Sequence, residues 1–338
     1  MDWFERLTGF RETSYADTRM QLEVKGRELR SRVNGRSYGI GELELVSLQA
    51  LRERAHCGVG LPGQLKFRVI TGDVRRLHHS AEYVGALFQV ASQFNMLEMV
   101  SFNVTPEDGV TRYEEDHTQG PACALAAGAA TIYRNYFAPV RNGQGQTSER
   151  QLDGLADVGY ELARAVGRPV EELWSMRNGY AVCSRSGLDS ISELLKSIEP
   201  TQVRQIADKL RIGLHWDVEV TDGVKPPRHL VSQAFCSALP VRYFPETPAA
   251  HWQPFARLVL QAAYEATIWA AVLNAQRGAS NVVLLTRLGG GAFGNEDHWI
   301  NDAIRQALQM AVGFALDVRV VSYGSLSNEI QQLAEEFG

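Results

Sequence analysis

The apolar residues of this chain fall into short runs that alternate with longer, helix-like patterns. Runs rich in β-branched residues predict buried strands at 67–70, 83–90, 214–220, 282–285 and 318–323. Apolar residues that recur every three to four positions predict helices at 121–136, 151–165, 187–211 and 255–273, and again after residue 298. Strands that alternate with helices are typical of an α/β fold, so we expect a largely parallel or mixed sheet with helices on its faces.

Two regions of the chain depart from this alternation. Residues 1–60 are polar and broken by glycine, and we expect them to form an N-terminal extension packed on the main body. Residues 61–338 would form one domain with a mainly helical insertion at about 140–250. Glycine- and proline-bearing loops are predicted inside that insertion, at 141–148 and 240–254.

Composition and charge narrow the class of function. A net charge of −5 over 338 residues argues against a protein that coats nucleic acid. Neither the four cysteines nor the histidines show the spacing of a metal site. The N-terminus is too charged for a signal peptide, and no apolar run approaches the roughly 20 residues that span a bilayer. We therefore expect a cytoplasmic, monomeric protein with no metal, no required cofactor, no nucleic-acid partner and no membrane association.

A dense glycine segment follows the strand predicted at 282–285. It reads Gly289-Gly290-Gly291-Ala292-Phe293-Gly294, and Asn295 then leads into a helical pattern. Glycines let backbone N–H groups approach an anion, and the start of a helix adds a positive partial charge. The pattern predicts a phosphate-binding loop; an ordinary strand-to-helix connection with glycine turns is the alternative.

Two earlier segments supply further candidate contacts. The strand at 67–70 runs into Thr71-Gly72-Asp73-Val74, and the run at 83–90 continues to Asn95. Thr118-Gln119-Gly120-Pro121 then opens an alanine-rich helix. Pro121 fits the first helical turn, where its missing N–H costs nothing.

In this order the three segments resemble the macrodomain family. The strand that runs into Gly72-Asp73-Val74 resembles the opening of a macrodomain, and residues 88–95 resemble a diverged form of its valine-asparagine-alanine-alanine-asparagine strand. Residues 290–294 are similar to the second phosphate loop of poly(ADP-ribose) glycohydrolases. The resemblance spans residues 67–324 with insertions. It implies a macrodomain-like three-layer αβα fold with a mixed central sheet that binds ADP-ribose.

The resemblance also implies a role for each candidate residue. Asp73, followed by Val74, would accept a hydrogen bond from the adenine amino group, and Asn95 would contact the distal ribose. The first loop, against the ribose and diphosphate, would consist of Thr118, Gln119 and Gly120. The second loop would wrap the diphosphate, with the Phe293 ring beside the distal ribose, through Gly289, Gly290, Gly291, Ala292, Phe293, Gly294 and Asn295. Tyr323 would stack on adenine.

Most of these residues also have a simpler explanation. Asp73 suits a turn, and Asn95 suits the cap of the turn that follows it. Tyr323 is equally suited to the edge of the core. Phe293 is harder to explain in this way, because a large apolar side chain in a glycine loop needs a surface to cover.

The candidate catalytic groups are carboxylates beside the two loops. Poly(ADP-ribose) glycohydrolases carry a glutamine-glutamate-glutamate triplet in the first loop, whereas residues 118–121 hold no carboxylate, so cleavage by that route is not expected. Asp297 is the first candidate, followed by Asp302 and Asp116. Asp297 would also stabilise a helix start without any catalysis. Asp302 lies away from the apolar arc of its helix, and Asp116 equally suits a turn.

The chemistry of the leaving group then suggests a substrate. An N-glycosidic bond to arginine leaves a cationic guanidinium, which paired carboxylates can bind while they activate water at the anomeric carbon. The resemblance to divergent macrodomains implies an ADP-ribosylhydrolase that removes mono-ADP-ribose from protein side chains, with arginine as the preferred linkage. Its partners would be a mono-ADP-ribosylated protein and ADP-ribose itself. The alternative is a non-catalytic module that binds ADP-ribose. A dinucleotide-binding fold is disfavoured, because the glycine loop follows the penultimate strand rather than the first.

Overall fold

Helices and strands alternate along most of the chain in a computed structural model, which describes residues 1–223, 228–322 and 328–338. The strands are β1 (Leu22–Lys25), β2 (Glu28–Ser31), β3 (Ser37–Gly39), β4 (Glu42–Ser47), β5 (Lys66–Thr71), β6 (Leu87–Ala91), β7 (Pro139–Val140), β8 (Gly143–Gln144), β9 (Trp174–Arg177), β10 (Tyr180–Cys183), β11 (Arg211–Glu219), β12 (Leu230–Cys236), β13 (Val282–Leu285) and β14 (Asp317–Ser322). The helices are α1 (Trp3–Thr8), α2 (Tyr15–Met20), α3 (Leu48–Cys57), α4 (Val74–His79), α5 (Gln119–Ala126), α6 (Gly128–Tyr136), α7 (Ala156–Val166), α8 (Val170–Leu173), α9 (Arg185–Ser197), α10 (Pro200–Ala207), α11 (Ala249–Gln276), α12 (Asp297–Ala311) and α13 (Asn328–Phe337).

The central sheet has seven strands in the order β4-β11-β12-β6-β13-β14-β5. The strands from β12 to β5 are parallel to one another, and β11 runs antiparallel to both of its neighbours. Parallel strands that are buried on both faces have near-continuous apolar sequences. In β13, accordingly, Val283 and Leu285 face one layer of helices while Leu284 faces the other.

Two layers of helices cover this sheet. Helices α3, α9, α11 and α12 share one hydrophobic cluster with β13 and β14. On the opposite face, α4, α5 and α6 pack against Phe88 and Val90 of β6. The predicted three-layer αβα arrangement around a mixed sheet is therefore confirmed.

The N-terminal residues divide between two parts of the fold. Helix α1 and the small β1-β2-β3 sheet pack on α6 through Trp3, Phe4, Leu29 and Ile132. By contrast, β4 pairs with β11 of the central sheet, and α3 packs on α11. The boundary predicted at residue 60 thus falls among residues that build the central layers.

The segment 140–250, predicted as a mainly helical insertion, also contributes to the central sheet. It contains β11 and β12 as well as helices α7 to α10 and the β9–β10 hairpin. The single helix predicted at 187–211 is two helices, α9 and α10, with Pro200 in the first turn of the second. Strand β12 was not predicted because the buried polar residues Ser232 and Gln233 interrupt its apolar run.

Two other helices differ from their predicted bounds. The helix predicted at 121–136 divides at Ala127, whose backbone (φ −113°, ψ 55°) leaves the helical region. The helix predicted from 255 begins at Ala249 and contains Pro254, which removes one backbone hydrogen bond near the helix start. By length and composition α11 could cross a membrane, but 83% of its most apolar window is buried inside the protein, as in a core helix.

Candidate active site

A cleft of about 650 Å³ lies at the carboxyl ends of the parallel strands. Its walls come from the segments that follow β5, β6, β12 and β13, together with the start of α5. Carboxyl ends of parallel strands meet at one edge of a sheet, which is where open α/β sheets bind ligands. The fold thus brings together the three segments that the sequence singled out.

The glycine loop after β13 is held from below by buried side chains. The Tyr264 hydroxyl donates to the Thr286 carbonyl (2.6 Å) and accepts from the Leu288 N–H (2.8 Å). Gly289 has a φ of +74°, and an added Cβ would lie 2.5 Å from the Ala238 Cβ. A side chain at position 289 would therefore be both strained and obstructed, which explains this glycine.

Asn295 closes the loop from the other end. Its N–H donates to the Gly289 carbonyl (2.9 Å), and its side-chain amide donates to the Leu239 carbonyl (2.8 Å). Asn295 and Gly294 are not among the described residues that line the cleft. Their predicted contact with ligand is therefore replaced by a supporting role, since both stand behind the loop.

Four backbone N–H groups of this loop remain without a partner. Among the described residues, no acceptor lies within hydrogen-bonding reach of the N–H groups of Gly289, Gly291, Ala292 or Phe293. All four residues line the cleft, as does Gly290. Unpaired backbone N–H groups in a glycine loop form a concavity suited to an anion.

The start of α5 forms the wall that faces the glycine loop. The Gln119 side chain bridges to β6, accepting from the Ala91 N–H (2.8 Å) and donating to the Gln89 carbonyl (2.9 Å). An added Cβ on Gly120 would lie 2.0 Å from the Ala91 carbonyl oxygen. Glycine therefore allows the helix start to approach the strand, and Gln119 acts as a brace at the cleft wall.

The first-turn amides of α5 are also available to a ligand. The Thr118 N–H donates to the Asp116 carboxylate (2.8 Å), whereas in the part of the chain that the structure describes the N–H groups of Gln119 and Gly120 have no acceptor. Thr118, Gln119 and Gly120 all line the cleft. A helix start with unpaired N–H groups favours negative charge, so this wall too suits an anion.

Asp73 and Val74 line another part of the cleft, at the start of α4. One carboxylate oxygen of Asp73 accepts from the N–H groups of Arg75 (2.8 Å) and Arg76 (3.2 Å), so Asp73 is a helix cap as well as a wall residue. The Val74 N–H has no acceptor among the residues described. Tyr323, the predicted adenine platform, lies outside the described residues.

Of the three predicted catalytic carboxylates, the structure places only Asp116 among the described residues that line the cleft. Asp297 is well exposed (61%) and pairs with Arg287 at 2.5 Å. Asp302 is 37% exposed and pairs with Arg257 of the neighbouring helix α11 (2.9 Å). Asp297 and Asp302 are therefore ion-pair partners that do not belong to the described lining of the cleft, so the structure gives their predicted catalytic role no support.

The expectation for Asn95 is corrected as well. Asn95 is fully buried and does not belong to the described lining. Its amide donates to the Gln151 side chain (2.8 Å) and its carbonyl oxygen accepts from the Leu97 N–H (3.1 Å). The chain turns sharply at Met96, where φ is +64°, and Ser92 and Gln93 occupy the wall position instead.

Sequence reasoning missed Glu98, a carboxylate in the wall of the cleft. Its side chain is 1% exposed and accepts from Arg134 at 3.3 and 3.4 Å. Burial raises the pKa of Glu98 to about 7, although the charge of Arg134 lowers it. The available signal was a lone acid between apolar neighbours, Leu97 and Met99.

The Phe293 ring packs against aromatic side chains that come from the segment 140–250. Its ring lies 5.4 Å from the ring of Tyr180 and 5.7 Å from that of Tyr243, and all three residues line the cleft. Burial raises the pKa of the Tyr180 hydroxyl, and Tyr243 and the charge of Asp116 raise it further. Asp116 therefore lies at the Phe293 end of the cleft.

Charged groups also lie in the cleft wall near the start of α4. The hydrogen bond to Asp222 raises the pKa of Arg75 most, and the charges of Glu114 and Asp73 add to it. Arg75 and Asp73, at the start of α4, thus lie near Glu114 of the segment that precedes α5. Arg287, at the beginning of the glycine loop, adds a cation to the wall.

The Asp116 end of the cleft opens towards the surface. A smaller surface hollow shares Val100, Asp116 and His117 with the cleft and is otherwise lined by Arg112 and Glu115. No group of three metal-binding side chains occurs among the residues described. The cleft thus combines unpaired backbone donors, carboxylates and an aromatic wall, with one end at the surface.

Comparison with known proteins gives structural matches. No protein-family model and no curated protein matches the chain. The chain is similar to a poly(ADP-ribose) glycohydrolase variant from Deinococcus radiodurans in complex with ADP-ribose (13% identity, 86% of this chain and 90% of that chain covered, TM-score 0.44). It is also similar to poly(ADP-ribose) glycohydrolase from Thermomonospora curvata (13%, 95% and 96%, 0.44) and to the apo Deinococcus radiodurans enzyme (11%, 96% and 98%, 0.44). Similarity at this level assigns neither a family nor a reaction to this chain, so function must come from the cleft.

Proposed function

We propose that this protein is an ADP-ribosylhydrolase that removes mono-ADP-ribose from modified protein side chains, with arginine as the preferred linkage. The observation that carries the proposal is the row of unpaired N–H groups at Gly289, Gly291, Ala292 and Phe293, which faces a cleft with carboxylates in its walls. Those donors suit a pyrophosphate, and the carboxylates suit hydrolysis of the sugar bond beyond it.

The size and charge of the cleft support a nucleotide-sized ligand. A volume of about 650 Å³ falls within the range of roughly 300–1,000 Å³ that is usual for small-molecule sites. The two facing sets of N–H groups, at the glycine loop and at the start of α5, would hold a diphosphate between them. Arg287, which is paired with Asp297 on its other side, would add a guanidinium beside that diphosphate.

The direction of the ligand follows from where the cleft opens. A sugar that is still attached to a protein must lie at the surface end, which is the end with Asp116 and Val100. The distal ribose would therefore lie beside Phe293, and the adenine would lie at the start of α4. There the Val74 N–H and the second carboxylate oxygen of Asp73 are available to the base.

A cationic leaving group would explain the acid at the mouth of the cleft. Asp116 uses one carboxylate oxygen for the Thr118 N–H, which leaves the other oxygen able to pair with a guanidinium. Glu115 lies next to it in the surface hollow. A modified arginine that enters past these two residues would be oriented with its sugar in the cleft.

The test uses peptides that carry mono-ADP-ribose on arginine, glutamate or serine, with released ADP-ribose as the readout and calorimetry for binding. We expect release from the arginine peptide, a lower rate for Asp116→Asn, and an unchanged rate for Asp302→Asn, a matched aspartate outside the cleft. Binding of ADP-ribose without release from any peptide would instead identify a non-catalytic reader. Absence of ADP-ribose binding would refute the proposal.

A further inference from the structure

We propose that Glu98 is the catalytic base that takes the proton from the attacking water, an assignment that rests on the function proposed above. Glu98 lines the cleft, and a Cβ on Gly120 would lie 3.1 Å from its Cγ. Glycine at that position lets the first turn of α5 pack directly on the Glu98 side chain, which is 1% exposed. The side chain is thus buried in the fold but faces the ligand space.

Contacts of the neighbouring residue place Glu98 at the reacting end of the cleft. The carbonyl of Met99 accepts a hydrogen bond from the Tyr180 hydroxyl (2.6 Å), and the Tyr180 ring lies 5.4 Å from the Phe293 ring. Phe293 marks the end of the cleft at which the distal ribose would lie. Glu98 therefore belongs to the same wall as the anomeric carbon rather than to the adenine end.

The Glu98 carboxylate has acceptor capacity to spare. Its protein partner is Arg134 on α6, at 3.3 and 3.4 Å, both longer than is usual for a charge-assisted hydrogen bond. The backbone N–H of Glu98 donates to the Tyr113 hydroxyl (3.1 Å). A carboxylate offers about four acceptor sites, so a water in the cleft could donate to Glu98 without displacing Arg134.

The groups that face Glu98 adjust its proton affinity. Arg134 stacks on the ring of Phe235 (3.9 Å) and supplies the positive charge, whereas Tyr113 and Cys123 are neutral at physiological pH because burial raises the pKa of each. The charges of Asp116 and other cleft acids lie farther along the wall. Burial raises the pKa of Glu98 to about 7, which suits a base that works near neutral pH.

The proposed step balances in atoms and charge. Water forms a bond from its oxygen to the anomeric carbon while the bond from that carbon to the guanidine nitrogen breaks, with the electron pair going to nitrogen. Glu98 accepts the proton that water loses. The departing guanidine is then neutral and takes that proton to become guanidinium, so Glu98 is regenerated and no other reactant is needed.

Exchange of Glu98 for glutamine tests the assignment. We expect Glu98→Gln to bind ADP-ribose with a Kd within about threefold of the wild type but to release it at least about 100-fold more slowly in single turnover, as for loss of a general base. Because the exchange removes the charged partner of Arg134, which keeps its hydrogen bonds to the Met96 carbonyl and the Thr131 hydroxyl, Glu265→Gln serves as the control. Glu265 is likewise buried and paired with an arginine, Arg204, far from the cleft. A folded Glu98→Gln protein that releases ADP-ribose at the rate of Glu265→Gln would overturn the proposal.

The pH profile of the wild type decides the question even if Glu98→Gln does not fold. We expect kcat/KM to rise about tenfold per pH unit below about pH 7 and to level off above it, because the ionised carboxylate is the active form. A flat profile between about pH 5 and pH 9 refutes the role of Glu98, because a base with a pKa of about 7 must lose activity as it is protonated. Failure of the wild type to release ADP-ribose at any pH would instead refute the proposed function.

Discussion

Gly120→Ala is expected to disturb the cleft mainly through a clash with the backbone, although the added Cβ would also lie 3.1 Å from the Glu98 Cγ. An added Cβ would lie 2.0 Å from the Ala91 carbonyl oxygen, whereas Cβ atoms do not normally approach closer than 3.0 Å, so the helix start or the strand end must move by about 1 Å. A change of side-chain rotamer cannot relieve this clash, because the contact atom belongs to the backbone of Ala91. The Gln119 side chain also holds the helix start and the strand together, through its hydrogen bonds to the Ala91 N–H and the Gln89 carbonyl. Overpacking of this kind costs about 1–3 kcal/mol of unfolding free energy.

The same displacement would weaken the ligand site. It moves the unpaired N–H groups of Gln119 and Gly120, and loss of one hydrogen bond to a charged group costs about 1.5–3 kcal/mol, or about 10–100-fold in Kd. Urea unfolding and calorimetry with ADP-ribose measure the two effects. Gly313→Ala is the control, because an added Cβ there meets nothing within 4 Å. If Gly120→Ala matches Gly313→Ala in both stability and affinity, the account of this wall is wrong.

Two further predictions concern charge. Arg287→Gln should weaken ADP-ribose binding about 10–100-fold, because it removes a charged donor from the cleft wall. Asp297→Asn should change the affinity only severalfold, because an exposed ion pair is worth about 0–1 kcal/mol. Equal effects of the two substitutions in calorimetry would contradict the assignment of Asp297 as an ion-pair partner only. His78 is buried against Phe88, and burial lowers its pKa to about 4. Its neutral side chain therefore contributes to the free energy of unfolding above pH 6.5, and this contribution is lost as the pH falls through 4. Between pH 6.5 and pH 4 the wild type should therefore lose up to about 3 kcal/mol more unfolding free energy than His78→Gln, as measured by urea unfolding. Equal losses in the two proteins would refute this prediction. The comparison with the variant is needed because the raised pKa of Glu98 changes stability in the opposite direction over this pH range.

The strands and the glycine loop could be predicted because their causes are local. A strand buried on both faces needs a continuous apolar run, as β13 has, and the loop after it needs glycine where φ is positive, as at Gly289 and Gly294. Strand β4 was harder to identify, because it lies at the edge of the sheet and its glutamates make the segment read as polar. Local pattern therefore identified the elements more reliably than their place in the sheet.

The roles of the carboxylates could not be predicted, because each depends on a partner distant in sequence. A carboxylate in the first turn of a helix can stabilise the helix start or contact a ligand, and the sequence does not distinguish the two roles. For Asp297 the side chain is instead engaged by Arg287 from the other end of the loop. For Glu98, which lies in the loop after β6, the role depends on Arg134, 36 residues away on α6. Spacing along the chain carries no information about either pair.

The segment 140–250 completes the cleft through one hairpin turn. Asn178 and Gly179 both have positive φ, as a tight two-residue hairpin turn requires, and the Gly179 carbonyl accepts from the Phe94 N–H (2.9 Å). Gln151 joins the turn to Asn95 by hydrogen bonds at both ends of its amide. Tyr180 follows the turn directly and is thereby held against Phe293. Asn95, expected to touch the ligand, thus shapes the cleft from behind by fixing the hairpin that carries the aromatic wall.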